Sequence, residues 1–126
     1  MAFSNYLSNE ILDHVFSGNA FTAPSNYYVA LYTVAPTASG GGTEVTGGGY
    51  VRRPATFTTS ATQSTNQSAV EFPTASAAYG TVVAASVMDA TSGGNLLAFA
   101  NLTAAKNIAI GDVLRIPAND LDINLA

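Results

Sequence analysis

From residue 27 onward, short runs of β-branched and aromatic residues alternate with turn residues at intervals too short for helices. That punctuation limits the fold more than any other feature. "YYVALYT" (27–33), Tyr50 to Phe57, Val70 to Phe72, "GTVVAASVMDA" (80–90), "NLLAFANL" (95–102), "VLRIP" (113–117) and "LDINL" (121–125) read as strands. Pro36, Pro73, Gly93-Gly94, Gly111-Asp112 and Ala118-Asn119 fall between or at the ends of them. The pattern predicts a mainly β protein, an antiparallel β-sandwich or barrel of about seven to nine short strands. Pro54 cannot donate to a ladder, which places the second strand on an edge or at a bulge. The last strand alternates, with Leu121, Ile123 and Leu125 expected toward the core and Asp120, Asp122 and Asn124 toward water.

One short N-terminal α-helix precedes the strands. Over residues 5–16, Ser4 can cap, Leu7, Ile11 and Val15 recur at i, i+4 and i+8, and Gly18-Asn19 stops the run. That apolar stripe requires a docking surface. The tract "TTSATQSTNQSA" (58–69) has no apolar period and no charge, and is expected to be a long exposed loop or an extended arm lying on a neighbour. With 126 residues and no internal repeat, one domain spanning 1–126 is expected.

Only 10% of the residues are charged, against roughly 25% in an average soluble domain, so Ser, Thr, Asn and Gly must cover the surface. Such a neutral surface tolerates packing against copies or partners. The net charge is −4 and the cations are Arg52, Arg53, Lys106 and Arg115. They cannot supply the row of phosphate contacts that nucleic-acid binding rests on, and no direct DNA or RNA partner is expected. The absence of cysteine excludes disulfides and thiolate metal sites. "MAFSNYLSNEILDH" has neither the basic nor the apolar region of a signal peptide, and no run approaches eighteen apolar residues. Synthesis in the cytosol without a membrane span is the expectation, so the triplets at Asn66 and Asn101 are taken as plain surface polar residues rather than glycosylation sites.

The block "GGGTEVTGGGYVRR" (40–53) invites a phosphate-loop reading, yet it lacks the lysine, the following hydroxyl and the helix that such a loop uses. Neither glycine triplet completes G-x-G-x-x-G. The block is instead expected to be a long flexible excursion between strands, with residues 43–46 able to pair briefly as a strand or touch a neighbour. His14, the single histidine, flanks the helix stripe and has no nucleophile to serve. The acids Glu10, Asp13, Glu44, Glu71, Asp89, Asp112, Asp120 and Asp122 show no pairing pattern and read as solubilising charges. "DLDIN" (120–124) opens like a calcium loop, but Leu125 stands where its glycine belongs. No catalytic residue, cofactor or metal site is expected.

The remaining candidates are Glu44, Tyr50, Arg52 and Arg53, as partner or oligomer contacts. Arg52 and Arg53 are adjacent in an extended segment, so their side chains point to opposite faces. One can pair with Glu44 or Glu71 within the subunit while the other reaches a partner, with simple surface placement the favoured account for at least one of them. Charges beside a glycine loop are also expected to serve assembly more than folding.

The succession of an N-terminal helix, "PSNYYVALYTVAPT", "GGGTEVTGGGYVRR", "EFPTASAAYGTV", "GGNLLAFANLTAAKNIAIGD" and "ANDLDINL" resembles a family of small virion proteins of tailed bacteriophages. The resemblance spans nearly the whole chain, and the glycine block with its Thr-Glu-Val island is its most specific piece. Tyr79, where tryptophan is frequent, and Arg53-Pro54, where the strand is usually more apolar, depart from the pattern. Members are commonly labelled tail-fibre proteins, and similar small β proteins act as trimeric cement on phage capsids. The resemblance implies a non-enzymatic virion protein made in the host cytoplasm. The expected role is capsid cement or decoration, a homotrimer binding across major capsid subunits; the alternative is a tail-fibre or tail-tip component contacting a host receptor or glycan.

Overall fold

A computed structural model describes residues 1–125 of the chain. Its elements in order are β1 (Ala2–Phe3), α1 (Asn5–Phe16), β2 (Tyr27–Val34), β3 (Thr43–Glu44), β4 (Arg53–Ala55), β5 (Phe57–Ser60), β6 (Gln63–Asn66), β7 (Val70–Glu71), β8 (Gly80–Met88), β9 (Leu96–Ile108), β10 (Arg115–Ile116) and β11 (Asp122–Asn124). The fold is mainly β with one helix near the N-terminus, and the strand pairings are antiparallel. Strands outnumber the expectation because the two-residue β1 carries too little pattern to be read from sequence and the polar tract contributes a pair, β5 and β6.

The main sheet runs β1-β9-β8-β2-β3, with β4 also paired to β2. β4 takes the Tyr27–Val29 half of that edge and β3 the Tyr32–Val34 half, so Pro54 sits in an edge strand, where its missing N–H costs nothing. Two small sheets, β7-β10 and β5-β6-β11, accompany it. β2 alternates strictly: Val29 and Leu31 enter the principal core with Val45, Val70, Phe72, Tyr79, Val82, Leu114, Ile116 and Leu121, while Ala30 and Tyr32 enter a second cluster with Ala84 and Met88. Both faces of β2 and β8 are thus buried. That explains why both strands are near-continuous apolar runs.

β9 is longer than expected. Val82 faces Lys106 and Ala84 faces Asn101, so four residues of β9, 102–105, stand opposite the single residue Val83. The excursion turns Leu102 toward the principal core and leaves Thr103 to Ala105 exposed.

The polar tract departs from expectation. Residues 57–66 form the β5–β6 hairpin rather than a loop or an arm, reversing near Ala61 at φ 53°, with β11 on the far side of β6. Threonine favours extended backbone without any apolar period, and cross-strand hydroxyls pair, as in Thr59 Oγ1 to Ser64 Oγ at 3.2 Å. Asn66, expected on the surface, is fully buried. Its Nδ2 donates to the carbonyls of Ser68 (2.8 Å) and Pro117 (3.0 Å), and its Oδ1 accepts from Leu121 N (2.9 Å), which fastens β6 to the chain entering β11. Of the alternation expected over 120–125, Leu121 is buried and Asp120 and Asn124 are exposed as expected, but Asp122 and Ile123 are both half-buried and Leu125 is 66% exposed.

α1 begins and ends as its sequence predicts. Ser4 Oγ accepts from Leu7 N (3.1 Å), Ser17 N donates to the Asp13 carbonyl, and His14 Nδ1 donates to the Asn19 carbonyl (3.0 Å) across the helix end. Docking of its stripe is partial: Leu7 and Ile11 are half-covered, whereas Val15 is exposed. The helix buries no residue completely.

Candidate functional site: a charged clasp across the glycine block

The glycine block is fastened at several points. Gly40, Gly41, Gly42, Gly47, Gly48 and Gly49 all have positive φ, a conformation that glycine adopts without strain. At Gly48 a second constraint applies, since a Cβ there would lie 2.5 Å from the Ala77 carbonyl oxygen and 3.1 Å from the Tyr79 ring. Between the triplets, Thr43 and Glu44 pair with β2 as β3, and Val45 is buried with its N–H donating to the Leu31 carbonyl (2.9 Å). The Gly48 carbonyl accepts from Ser76 N at 3.0 Å. What the sequence presents as a loose excursion is a turn–bridge–turn held from both sides.

Glu44, Tyr50 and Arg52 meet where the block returns. Arg52 Nε and Nη2 donate to Glu44 Oε2 (2.9 Å) and Oε1 (2.8 Å), a two-pronged pair. Arg52 Nη1 donates to the carbonyls of Ala90 and Gly93, both at 2.8 Å. The turn that presents those carbonyls is itself closed by Asp89, whose carboxylate accepts from Asn95 N (2.7 Å) and Nδ2 (2.9 Å). Tyr50 O–H donates to Glu44 Oε2 (2.7 Å) and accepts from Leu31 N (3.0 Å). Its ring stacks on Phe72 at 6.0 Å and meets Tyr79 edge-on at 5.8 Å, while Tyr79 O–H donates to the Pro73 carbonyl (2.8 Å). Tyr79 is therefore packed and hydrogen-bonded.

The electrostatics follow from this geometry. Burial pushes the Glu44 carboxyl up, but the hydrogen bonds from Arg52 and Tyr50 and the Arg52 charge outweigh it and hold it below its ordinary value. The Glu44 hydrogen bond raises Arg52, and burial with the Glu44 contact raises the Tyr50 phenol. Glu44 is an ionised acceptor whose two oxygens are occupied, and Arg52, 7% exposed at its side chain, spends Nε, Nη1 and Nη2 inside the chain. These groups form a fastening, with no free base or nucleophile between them. Among the described residues, no three His, Cys, Asp or Glu side chains gather closely enough to hold a metal ion.

Arg53 stands apart. As the opposite-face reading requires, it is exposed while Arg52 turns inward. Opposite Val29 in β4, it borders a shallow depression with Glu71, Phe72, Pro73, Thr74 and Val113. Of the four sequence candidates, then, Glu44, Tyr50 and Arg52 are brought together and Arg53 is not. The carbonyls of Ala90 and Gly93 and the buried Asn66 escaped the sequence reading, because a backbone acceptor has no residue signature and an asparagine in a polar tract looks solvated.

No known function is assigned by this geometry alone, so comparison with known proteins bears on it. No curated protein matches the chain significantly. Residues 2–124 match the family model described as Podophage GP4 fiber I protein gp80, a match that takes in the glycine block, the clasp and the strands of all three sheets. On that span the chain belongs to the podophage GP4 fiber I protein gp80 family, a family of structural proteins of tailed-phage virions.

Proposed function

We propose that the chain is a non-enzymatic subunit of a podophage fibre, working as a rigid module in contact with further copies and neighbouring virion proteins. The observation that carries this reading is the family match over residues 2–124, whose description names a fibre protein. Two physical features support it. The glycine block and the 89–95 turn, the kinds of segment that in many binding proteins stay mobile until a ligand orders them, are tied to each other by Arg52. With 10% charged residues, crowded copies repel one another weakly.

Gold-labelled antibody against the chain, applied to purified virions, tests the location. Label confined to the tail is expected. Label distributed over the head would restore the cement role across capsid subunits and sink the fibre assignment. Incubation with host envelope glycans is expected to release no sugar, and a released sugar would overturn the non-enzymatic reading.

A further inference from the structure

Val87 of β8 and Leu97 and Ala98 of β9 form a third buried cluster, and this one is not closed. Leu7 of α1, Tyr27 of β2, Phe57 of β5 and Ile123 of β11 pack on it, yet each of the four stays half-exposed. Between them lies a chamber of about 260 Å³ that all seven residues line, together with Phe21 and Pro24 of the connection from α1 to β2. Protein interiors leave few voids larger than a water molecule, so a space of this size beside a buried cluster is an exception. Among the described residues, no Lys, Arg, His, Asp or Glu lines it. Two of its hydroxyls are already matched, since Thr59 Oγ1 donates to Ser64 Oγ at 3.2 Å, and the Tyr27 ring stands edge-on to Phe57 with centroids 5.8 Å apart. Water needs about 2–4 polar partners to be held and gains little in such a lining. One wall is also weakly fixed. Among the described residues, no backbone–backbone hydrogen bond ties residues 20–26 to the chain, and only Phe21 and Pro24 of that stretch are not exposed. The stretch is held by apolar packing on the chamber itself, the condition of a segment that opens at low cost.

We propose that this chamber is a binding site for a small uncharged apolar ligand, a single ring or a short alkyl chain, which enters past residues 20–26 and completes the cluster around Val87, Leu97 and Ala98. The size sets the occupant. The volume lies below the ~300 Å³ at which pockets for drug-sized ligands begin, and a partner's helix, roughly 10 Å across, does not fit. Its chemistry sets the class. A charged ligand would lose its hydration without gaining a counter-ion, whereas an apolar ring leaves water favourably and meets Phe21, Tyr27 and Phe57. Filling the chamber also covers Phe21 and Pro24, so the ligand fastens the stretch that admits it. The inference is independent of the fibre assignment, because it uses only the packing within this chain.

Benzene is the probe, benzoate its charged counterpart, and the melting temperature of the full chain the first readout. Millimolar benzene is expected to raise it by about 2–4 °C and to saturate, while benzoate leaves it unchanged. Ala23→Phe puts a ring at the exposed rim of the chamber and is expected to abolish the benzene shift. Methyl NMR spectra locate the binding without any variant: on titration Val87, Leu97 and Ile123 should shift, and Leu31 and Val82 of the principal core should not. Sedimentation run alongside identifies the competing occupant, a neighbouring copy's side chain. No saturable rise, an equal rise with benzoate, a rise that survives in a folded Ala23→Phe protein, methyl shifts confined to the principal core, or a self-association that benzene dissolves would each overturn the proposal.

Discussion

The glycine block and α1 are the two regions in which the chain departs most from a plain β-sandwich, and they are finished in opposite ways. The block has little apolar side chain, so it is ordered by polar groups: four Arg52 hydrogen bonds, a carboxylate with both oxygens engaged and a phenol that both donates and accepts. The helix has apolar side chain to spare and leaves Leu12, Val15 and Phe16 in water. In a protein with four cations, one being fully used inside the chain marks the block as part of the folded unit. Substitutions in the first region should act on stability, and those on the exposed face of the second should leave it nearly unchanged.

The sharpest break in that comparison is Arg52→Ala. It leaves the Glu44 carboxylate half-buried beside a tyrosine and removes the donor from two turn carbonyls, a loss of about 2–4 kcal/mol for a largely buried, charge-assisted network. Chemical denaturation should show it as a lower midpoint with little change in slope. Arg53→Ala, one residue on and exposed, should stay within about 0.5 kcal/mol. Equal effects from the two arginines would show that the clasp does not hold the block.

A smaller effect distinguishes the glycines within the block. Gly47 and Gly48 have φ of 76° and 63°, so alanine is strained at both, by roughly 1 kcal/mol. A Cβ at Gly47 meets nothing within 4 Å, whereas one at Gly48 runs into the Ala77 backbone. Gly48→Ala should therefore cost about 2–3 kcal/mol, the excess being the displacement of packed backbone. If thermal melts rank the two alike, the block is looser than its contacts imply.

How much of this was legible in the sequence depended on whether a residue's environment leaves a local trace. β2 and β8 were readable because burial on both faces demands unbroken apolar runs. The opposite facing of Arg52 and Arg53 followed from strand parity alone, and Glu44 was one of two partners within reach. The β5–β6 hairpin was not legible: its pairing rests on threonine backbone preference and hydroxyl contacts, which a search for apolar period passes over. Asn66 was missed because its burial is decided by Pro117 and Leu121, some fifty residues away. The glycines announced a turn, and nothing local announced that distant carbonyls at Ala90 and Gly93 would pin it.

The pH dependence of the clasp should have a defined sign. The folded-state pKa of Glu44 lies below its ordinary 4.5, so its contribution is fully present above that value and is lost as pH falls through the lower folded value. Glu44→Gln should cost about 1–2 kcal/mol at pH 7, where a neutral amide replaces a carboxylate bonded to Arg52. The gap between the melting temperatures of wild type and variant should narrow as the buffer moves from pH 5 toward pH 3. A gap that stays constant would mean that the Glu44 charge contributes nothing to holding the block.

The smallest expected effect belongs to the helix. Phe16→Ser removes a ring that is 81% exposed, so the chain should keep its stability within about 0.5 kcal/mol. Thermal melts of the variant beside the wild type check this directly. The residues that do anchor α1 are Ser4, buried with its N–H donating to the Leu97 carbonyl at 2.9 Å, and the half-covered Leu7 and Ile11. Leu7→Ala should therefore destabilise the chain by more than Phe16→Ser does, although both remove apolar atoms from the same helix. The reverse ranking would mean that the uncovered face packs within its own subunit, and the contrast between a finished block and an unfinished helix would fail at its weaker end.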